Sequence, residues 1–364
     1  MRYKELEINR FRGIKKIEFS DFRNINLIVG RNNSSKTSIL ESLFVLTGSL
    51  SPEIILRINL FRNLKFIEQE DLRLVFNALK YDEDIHIKAI GFNEEKRELT
   101  ISPGSKDVKT QTLSKDVNNR SLNDLDYNSF SSVTNINELT FRTTVKERHS
   151  PEKKAVAKIY FQNGEFLTEN GILKSKINDR AVYVTQYLDL SSNLEKELEN
   201  LIITKQHMSI VDALKSVDVN IVNISLGHNR MIYADIGLDR LIPINLLGDG
   251  VRRLLAIILA IHNSKDGIVL IDEIDNGLHY STLKSLWKSV LYISKQCNVQ
   301  VFVTTHNYET IKYLSECLVE AEYEIYKDTV KTYTVRKLQN GEHKSYGYDF
   351  EQFSNAINED IELR

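Results

Sequence analysis

Two short stretches of the 364-residue chain carry side chains that could do chemistry together. The first is Gly30-Arg31-Asn32-Asn33-Ser34-Ser35-Lys36-Thr37, followed by Ser38. It fits the phosphate-loop pattern G-x-x-x-x-G-K-[ST], with Ser35 in place of the second glycine. Such a loop turns its backbone N–H groups inward and ends on a helix N-terminus, which favours anions. Lys36 is expected to reach the β- and γ-phosphates of a nucleotide, and the Thr37 hydroxyl to bind Mg²⁺. The β-carbon of Ser35 is expected to disfavour the loop's backbone angles and to crowd the phosphates. The second stretch is Ile268-Val269-Leu270-Ile271-Asp272-Glu273, four apolar residues and then two carboxylates. An acidic pair at the carboxyl end of a buried parallel strand lies where α/β sheets bind ligands. Asp272 is expected to hold the Mg²⁺ shell through water, and Glu273 to polarise an attacking water.

These residues need a frame. Strands are expected at 4–9, 14–19 and 25–29; the third, INLIV, is an unbroken apolar run suited to a buried strand. Ile39, Leu40, Leu43 and Phe44 then recur at helical spacing until Gly48. Alternating segments at 85–92, 138–145 and 155–162 read as antiparallel strands with one wet face. Residues 104–136, rich in Ser, Asn, Asp, Lys and Thr, read as an exposed insertion. Residues 191–216 read as helical, and 219–236 as two strands. Thereafter helices are expected at 250–263, 281–296 and 308–319, with strands at 268–271 and 299–304, two more near 322–338, and a short terminal helix. This alternation argues for a mostly parallel sheet covered on both faces.

Composition narrows the class without naming it. There are 48 Lys+Arg and 50 Asp+Glu, a net charge of −2, so no global basic field points to nucleic acid. Hydrophobic residues at 41% and charged residues at 27% exclude a disordered, collagen-like or coiled-coil chain. The longest apolar stretch, Leu254 to Ile261, is too short to span a membrane. The charged opening MRYKELEINR lacks the apolar segment of a signal peptide, and Cys297 and Cys317 are the only cysteines. A cytoplasmic protein without disulfides or a zinc site is the expectation. Length alone suggests two domains. Lys36 and Asp272, however, must share one Mg²⁺-nucleotide, so residues 1–364 are expected to form a single domain. Its parts are 1–50 with the phosphate loop, a β-rich region at 51–190, a helical and β subdomain at 191–240, and the remaining motifs at 241–364.

Further motifs occur in a fixed order: LEINRFRGIKKIEF before INLIVGRNNSSKTSILES, then INLLGDGVRRLLAIILA, IVLIDEIDNGLH and VFVTTHN, and the closing stretch YTVRKLQNGEHKSYGYDFEQFSNAINEDIELR. Together they resemble the ABC-type ATPases of the SMC/RecF/OLD group. They are most similar to the stand-alone AAA15/AAA21-like ATPases of bacterial anti-phage and abortive-infection systems. The resemblance implies an ABC-ATPase head, with a mostly parallel core sheet, an antiparallel β subdomain and a helical subdomain. It implies Mg²⁺-dependent ATP hydrolysis in a head-to-tail dimer or larger assembly, serving a separately encoded nuclease or toxin and not a membrane. Gly30, Asn32, Asn33, Ser34 and Ser38 join Ser35, Lys36 and Thr37 at the nucleotide. Gly248, Asp249 and Gly250 stand at the signature motif that caps the γ-phosphate of a partner, with Gly248 where a serine is usual. Asp275 resembles the D-loop residue, His306 the switch histidine, and Arg12 a basic residue that approaches the nucleotide. Gln69 and Gln186 are both open as the Q-loop glutamine. The stretch after His306 leaves no room for the TOPRIM nuclease of OLD-type proteins. Two other readings stand beside this one: a RecF/SMC-like ATPase that binds DNA, and a non-hydrolysing scaffold held together by ATP.

Overall fold

The computed structural model describes residues 1–64, 69–104, 137–173, 180–185, 192–228 and 231–359. In chain order the N-terminal elements are β1 (Tyr3–Phe11), β2 (Ile14–Phe19), β3 (Ile25–Val29), α1 (Lys36–Thr47) and α2 (Ile54–Leu60). There follow β4 (Ile85–Gly91), β5 (Lys96–Gly104), β6 (Glu138–Lys146), β7 (Lys153–Gln162), β8 (Glu165–Glu169) and β9 (Ala181–Val184). The middle holds α3 (Ser192–Ile203), α4 (Met208–Lys215), β10 (Asn223–Leu226), β11 (Ile232–Asp235) and β12 (Ile242–Pro243). The last part is α5 (Asp249–Asn263), β13 (Ile268–Ile271), α6 (Tyr280–Gln296), β14 (Gln300–Thr305), α7 (Tyr308–Val319), β15 (Val330–Lys337), β16 (His343–Tyr348) and α8 (Phe350–Asn358).

Two kinds of strand build two kinds of sheet. Strands with alternating burial, such as β4 and β6, form a seven-stranded antiparallel sheet in the order β2-β1-β4-β5-β6-β7-β8. Strands β3, β13 and β14 are instead buried along their whole length, on both faces. They lie within a six-stranded sheet, β16-β15-β3-β14-β13-β9, whose pairs are parallel except at β16. Its period of two divides the core. Ile25, Leu27, Val29, Val269, Ile271, Val301 and Val303 point into one cluster, with α5, α6 and α7. Ile28, Ile268, Leu270 and Phe302 point into the other, with α1 and the antiparallel sheet. The parallel sheet is therefore a wall shared by both cores. β10, β11 and β12 form a small antiparallel sheet beside α3, α4 and α5.

Several expectations about elements shift. β9 falls in the stretch read as antiparallel, yet it pairs in parallel with β13, Val184 opposite Ile271. Four residues are too few for periodicity to show which sheet a strand joins. The pair expected near 322–338 sits later in the chain. Glu324–Thr329 is a 3₁₀ turn, and the strands are β15 and β16, joined through Gly341 at φ 80. Only Tyr326 of that turn is buried, so it lacks the inward row a strand would need. α2, β5 and β8 were not foreseen. The insertion expected at 104–136 lies outside the described residues except Gly104, which ends β5.

Candidate active site

The register of the parallel sheet brings the two reactive stretches to one edge. Val29 pairs with Thr305 across β3 and β14, and Ile271 pairs with Val303 across β14 and β13. The phosphate loop and the acidic pair thus leave β3 and β13 at the same edge of the sheet, with only β14 between them.

The loop folds tightly on itself. Asn33 and Ser35 take left-handed backbone, at φ 64 and φ 66. Ser34 N donates to Arg31 O at 3.2 Å, and Lys36 Nζ donates to Gly30 O at 2.7 Å and Arg31 O at 3.0 Å. Burial lowers the pKa of Lys36, and the nearby carboxylates of Glu273 and Asp272 oppose that shift. As expected, the backbone of Ser35 takes angles that suit glycine, and its hydroxyl lies beside Gly13. A β-carbon added at Gly13 would stand 2.8 Å from Ser35 Oγ. The loop's missing glycine is answered by a glycine in the β1–β2 turn.

At the acidic end, Asp272 accepts from Thr37 Oγ1 at 3.0 and 3.2 Å, and from Thr304 Oγ1 at 2.6 Å. Glu273 sits in left-handed backbone at φ 47, its N–H donating to Thr304 Oγ1 at 2.9 Å. Its carboxylate lies 3.4 Å from His306 Nδ1. Asp275 accepts from Thr305 Oγ1 at 2.6 Å.

Two buried charges that the sequence reading did not single out support these groups. Arg253, on α5, donates to Thr185 O, to Asp272 O at 2.7 Å and to Glu273 O at 2.9 Å. Burial pushes its pKa down to about 10, against the pull of Asp272, Asp275 and Glu273. Its terminal nitrogens donate to carbonyls, so it holds the backbone of both carboxylates. Glu41, fully buried on α1, lies 2.7 Å from Arg12 Nε and accepts from Arg62 at 2.8 and 3.0 Å. Arg12 also donates to Asn59 Oδ1 at 2.9 Å, and Arg62 to Ser38 Oγ at 3.2 Å. Burial lowers the pKa of Arg12, whereas that of Arg62, the more exposed of the two, is raised by its bonds to Glu41 against partial desolvation. An acid inside the apolar run SILESLFVL was a readable signal for such a pair. Nothing local distinguished Arg253 from Arg252.

A cleft of about 910 Å³ gathers Arg12, Asn32, Asn33, Ser34, Ser35, Lys36, Thr37, Ser38, Asp272, Glu273 and His306, together with Gly13, Arg62 and Lys337. Gly30 contributes its carbonyl to Lys36. Gly248, Asp249 and Gly250 do not line it. They open α5 against the turn after the acidic pair, where a β-carbon on Gly250 would stand 3.3 Å from Leu278 and one on Gly277 3.5 Å from Asp249. Gln69 begins the 3₁₀ turn Gln69–Val75, and Gln186 lies outside the described residues. A hard divalent cation suits the Thr37 hydroxyl and the Asp272 carboxylate, which already converge on one point. Among the described residues no cluster of three His, Cys, Asp or Glu side chains could hold a metal. Nor is any helix long and apolar enough to cross a membrane.

A phosphate loop and an acidic strand end, on strands flanking one shared strand of a mostly parallel sheet, with an antiparallel sheet alongside, define a phosphate-loop ATPase of ABC/SMC-like architecture. Residues 25–312 match the family described as "AAA domain, putative AbiEii toxin, Type IV TA system", and the chain belongs to that family. It is 24% identical over 344 residues to a protein named ATP/GTP phosphatase from Helicobacter pylori (strain ATCC 700392 / 26695), covering 87% of this chain and 89% of that protein. Among solved structures, an Smc head bound to the C-winged helix domain of ScpA is similar with a TM-score of 0.51 and 14% identity, over 96% of this chain and 99% of that one. An Smc head with an extended coiled coil, bound to the C-terminal domain of ScpA from Pyrococcus furiosus, matches at 0.50 and 13%, over 99% of this chain and all of that one. At such identities the likeness is one of fold.

Proposed function

We propose that this ATPase is a nucleotide-driven switch. It hydrolyses ATP when two copies close head to tail, and it acts as sensor for a separately encoded nuclease or toxin in anti-phage defence. The observation that carries the catalytic part is the convergence of Thr37, Asp272, Glu273 and His306 beside the phosphate loop. Water attacks the γ-phosphate in line. Glu273 orients that water and takes its proton, while Lys36 and the loop's N–H groups carry developing charge. Held by Thr37 and Asp272, Mg²⁺ would neutralise phosphate charge. His306, against Glu273, is placed to sense the γ-phosphate. Thr304 and Arg253 act through the carboxylates as positioning residues.

The dimer is supported by the place of the glycine loop, which has no role in the cleft of its own chain. The defence role rests on the family, and the single-domain organisation on the wall that both cores share. DNA as first partner is the weaker reading. Arg10, Arg12, Lys16 and Arg23 of the basic opening already pair with Glu83, Glu41, Glu18 and Asp21.

Glu273→Gln tests the switch. It should abolish turnover, lowering kcat by about 10²- to 10⁴-fold, and trap an ATP-bound dimer visible by light scattering. Wild-type turnover, or a monomer at saturating ATP, would sink the proposal. Co-purification with the product of the neighbouring gene, with and without ATP, tests the effector.

A further inference from the structure

Four cations line the cleft, and three of them are committed within the chain. Arg12 and Arg62 meet Glu41, and Lys36 Nζ donates to the carbonyls of Gly30 and Arg31. The fourth, Lys337, forms no ion pair or side-chain hydrogen bond among the described residues.

Strand register puts this lysine at the loop. Thr334 pairs with Val29, the last residue of β3, so β15 runs on to Lys337 past the point where β3 gives way to the phosphate loop. A β-carbon on Gly30 would stand 2.7 Å from Val335 O, which shows how closely the two segments run. Val335 is buried in the core that holds α1. Side chains two apart on a strand share a face, so Lys337 projects to the side on which the loop and α1 lie.

The hairpin gives Lys337 no counterion. Its cross-strand partner is His343, a buried side chain with neither ring nitrogen partnered among the described residues. Burial first, then the charge of Lys337, hold that imidazole below its usual pKa, so it is neutral at pH 7. Glu342, the one acid between Val330 and Tyr348, accepts from Asn340 at 2.9 Å and lies 3.9 Å from Lys15. An ammonium left in water beside a phosphate site breaks no partner when it turns to an anion, and it gains a charge-assisted hydrogen bond.

Strand order also decides which part of a nucleotide it meets. Along the sheet edge the order is β15, β3, β14, β13, so Lys337 and the carboxylates flank the loop on opposite sides. A polyphosphate whose γ end meets Asp272 and Glu273, and whose middle lies on the loop, has its α-phosphate turned toward β15.

We propose that Lys337 is a nucleotide-binding residue that takes the α-phosphate, the end of the polyphosphate farthest from the two carboxylates. This rests on the hydrolytic reading of the same cleft. The test is calorimetric titration of the full chain with ADP and with the β,γ-imido analogue of ATP, each with Mg²⁺. Lys337→Gln should weaken both nucleotides equally, by about 5- to 20-fold, and raise the KM for ATP by the same factor with kcat nearly unchanged. Lys337→Arg, which keeps the charge, should retain most of the affinity. Lys344→Gln, at a hairpin lysine outside the cleft, should move neither nucleotide, which separates contact from the general field of the hairpin. Unchanged affinity in Lys337→Gln would overturn the proposal. So would a loss confined to the triphosphate, which puts the lysine at the γ-phosphate, or an equal loss in Lys344→Gln. Normal affinity in Lys337→Gln, while Glu273→Gln abolishes turnover, removes the role of Lys337 alone. Weakened binding in Lys337→Gln, from a wild type that binds ATP without turnover, supports Lys337 and removes the hydrolytic mechanism alone.

Discussion

Two loops in this chain begin helices and could cradle an anion, and they differ in how far the chain completes them. The loop before α1 is packed at its helix end, where Ser34 and Lys36 are buried. Ser35 is matched to Gly13, Lys36 is tied to two loop carbonyls, and Thr37 is joined to Asp272. The loop before α5 is barer. Gly248 has ordinary extended backbone and a β-carbon there would meet nothing within 4 Å, Gly250 lies against Leu278, and Asp249 reaches Arg252 at 3.3 Å. A helix N-terminus with glycines favours anions wherever it stands. What separates the two loops is whether catalytic groups from the same chain surround them. The first loop has the acidic pair of its own chain beside it, and the second does not line that cleft.

The sharpest way to break this contrast is to damage each loop in a different copy. Lys36→Ala and Gly250→Asp should each lower turnover by roughly 10³-fold, as loss of a phosphate-stabilising group does. If the second loop serves a partner, mixing the two inactive variants restores turnover at one composite site per dimer. If each chain works alone, mixing restores nothing. Steady-state rates against mixing ratio decide between them.

Arg253 ties the bare loop's helix to the packed site, so its loss should show in rate and not in binding. Arg253→Met is expected to lower kcat by about 10²-fold through misplacement of Glu273, with the KM for ATP nearly unchanged. A rise in KM with kcat intact would place Arg253 in nucleotide binding instead. A smaller effect in the opposite direction is expected at the bare loop itself. Gly248→Ser meets no steric obstacle. It should raise turnover by up to roughly tenfold, about the worth of one added hydrogen bond, without changing Tm.

The smallest effect belongs to the packed loop. Ser35→Gly removes a left-handed serine and should stabilise the chain by about 1 kcal/mol in denaturant unfolding. Gly13→Ala alone should destabilise it, because its β-carbon presses on Ser35 Oγ, and the double variant should recover most of that loss. Additive effects would mean that the two positions do not share their space.

Residues whose meaning is local were legible in the sequence. The run INLIV announced a strand buried on both faces, and the phosphate loop and the acidic pair announced each other through order along the chain. Other features were opaque for a physical reason. β9 is too short to carry a period, and its sheet is decided by pairing with a strand far away in sequence. Glu41, Arg253 and Thr304 acquire their roles from partners that only folding brings near. Ser35 looked like an obstacle to phosphate because Gly13, its counterpart, sits in another turn.

By itself the sequence determined which side chains can bind phosphate and activate water, and which strands must be buried on both faces. Those properties follow from residue type and short-range spacing. Only the tertiary structure decided that Thr37 and Asp272 meet at 3.0 Å, that Arg12 and Arg62 share one buried carboxylate, and that the glycine loop does not line the cleft. Those properties follow from strand order, register and packing, which couple residues that the chain itself keeps far apart.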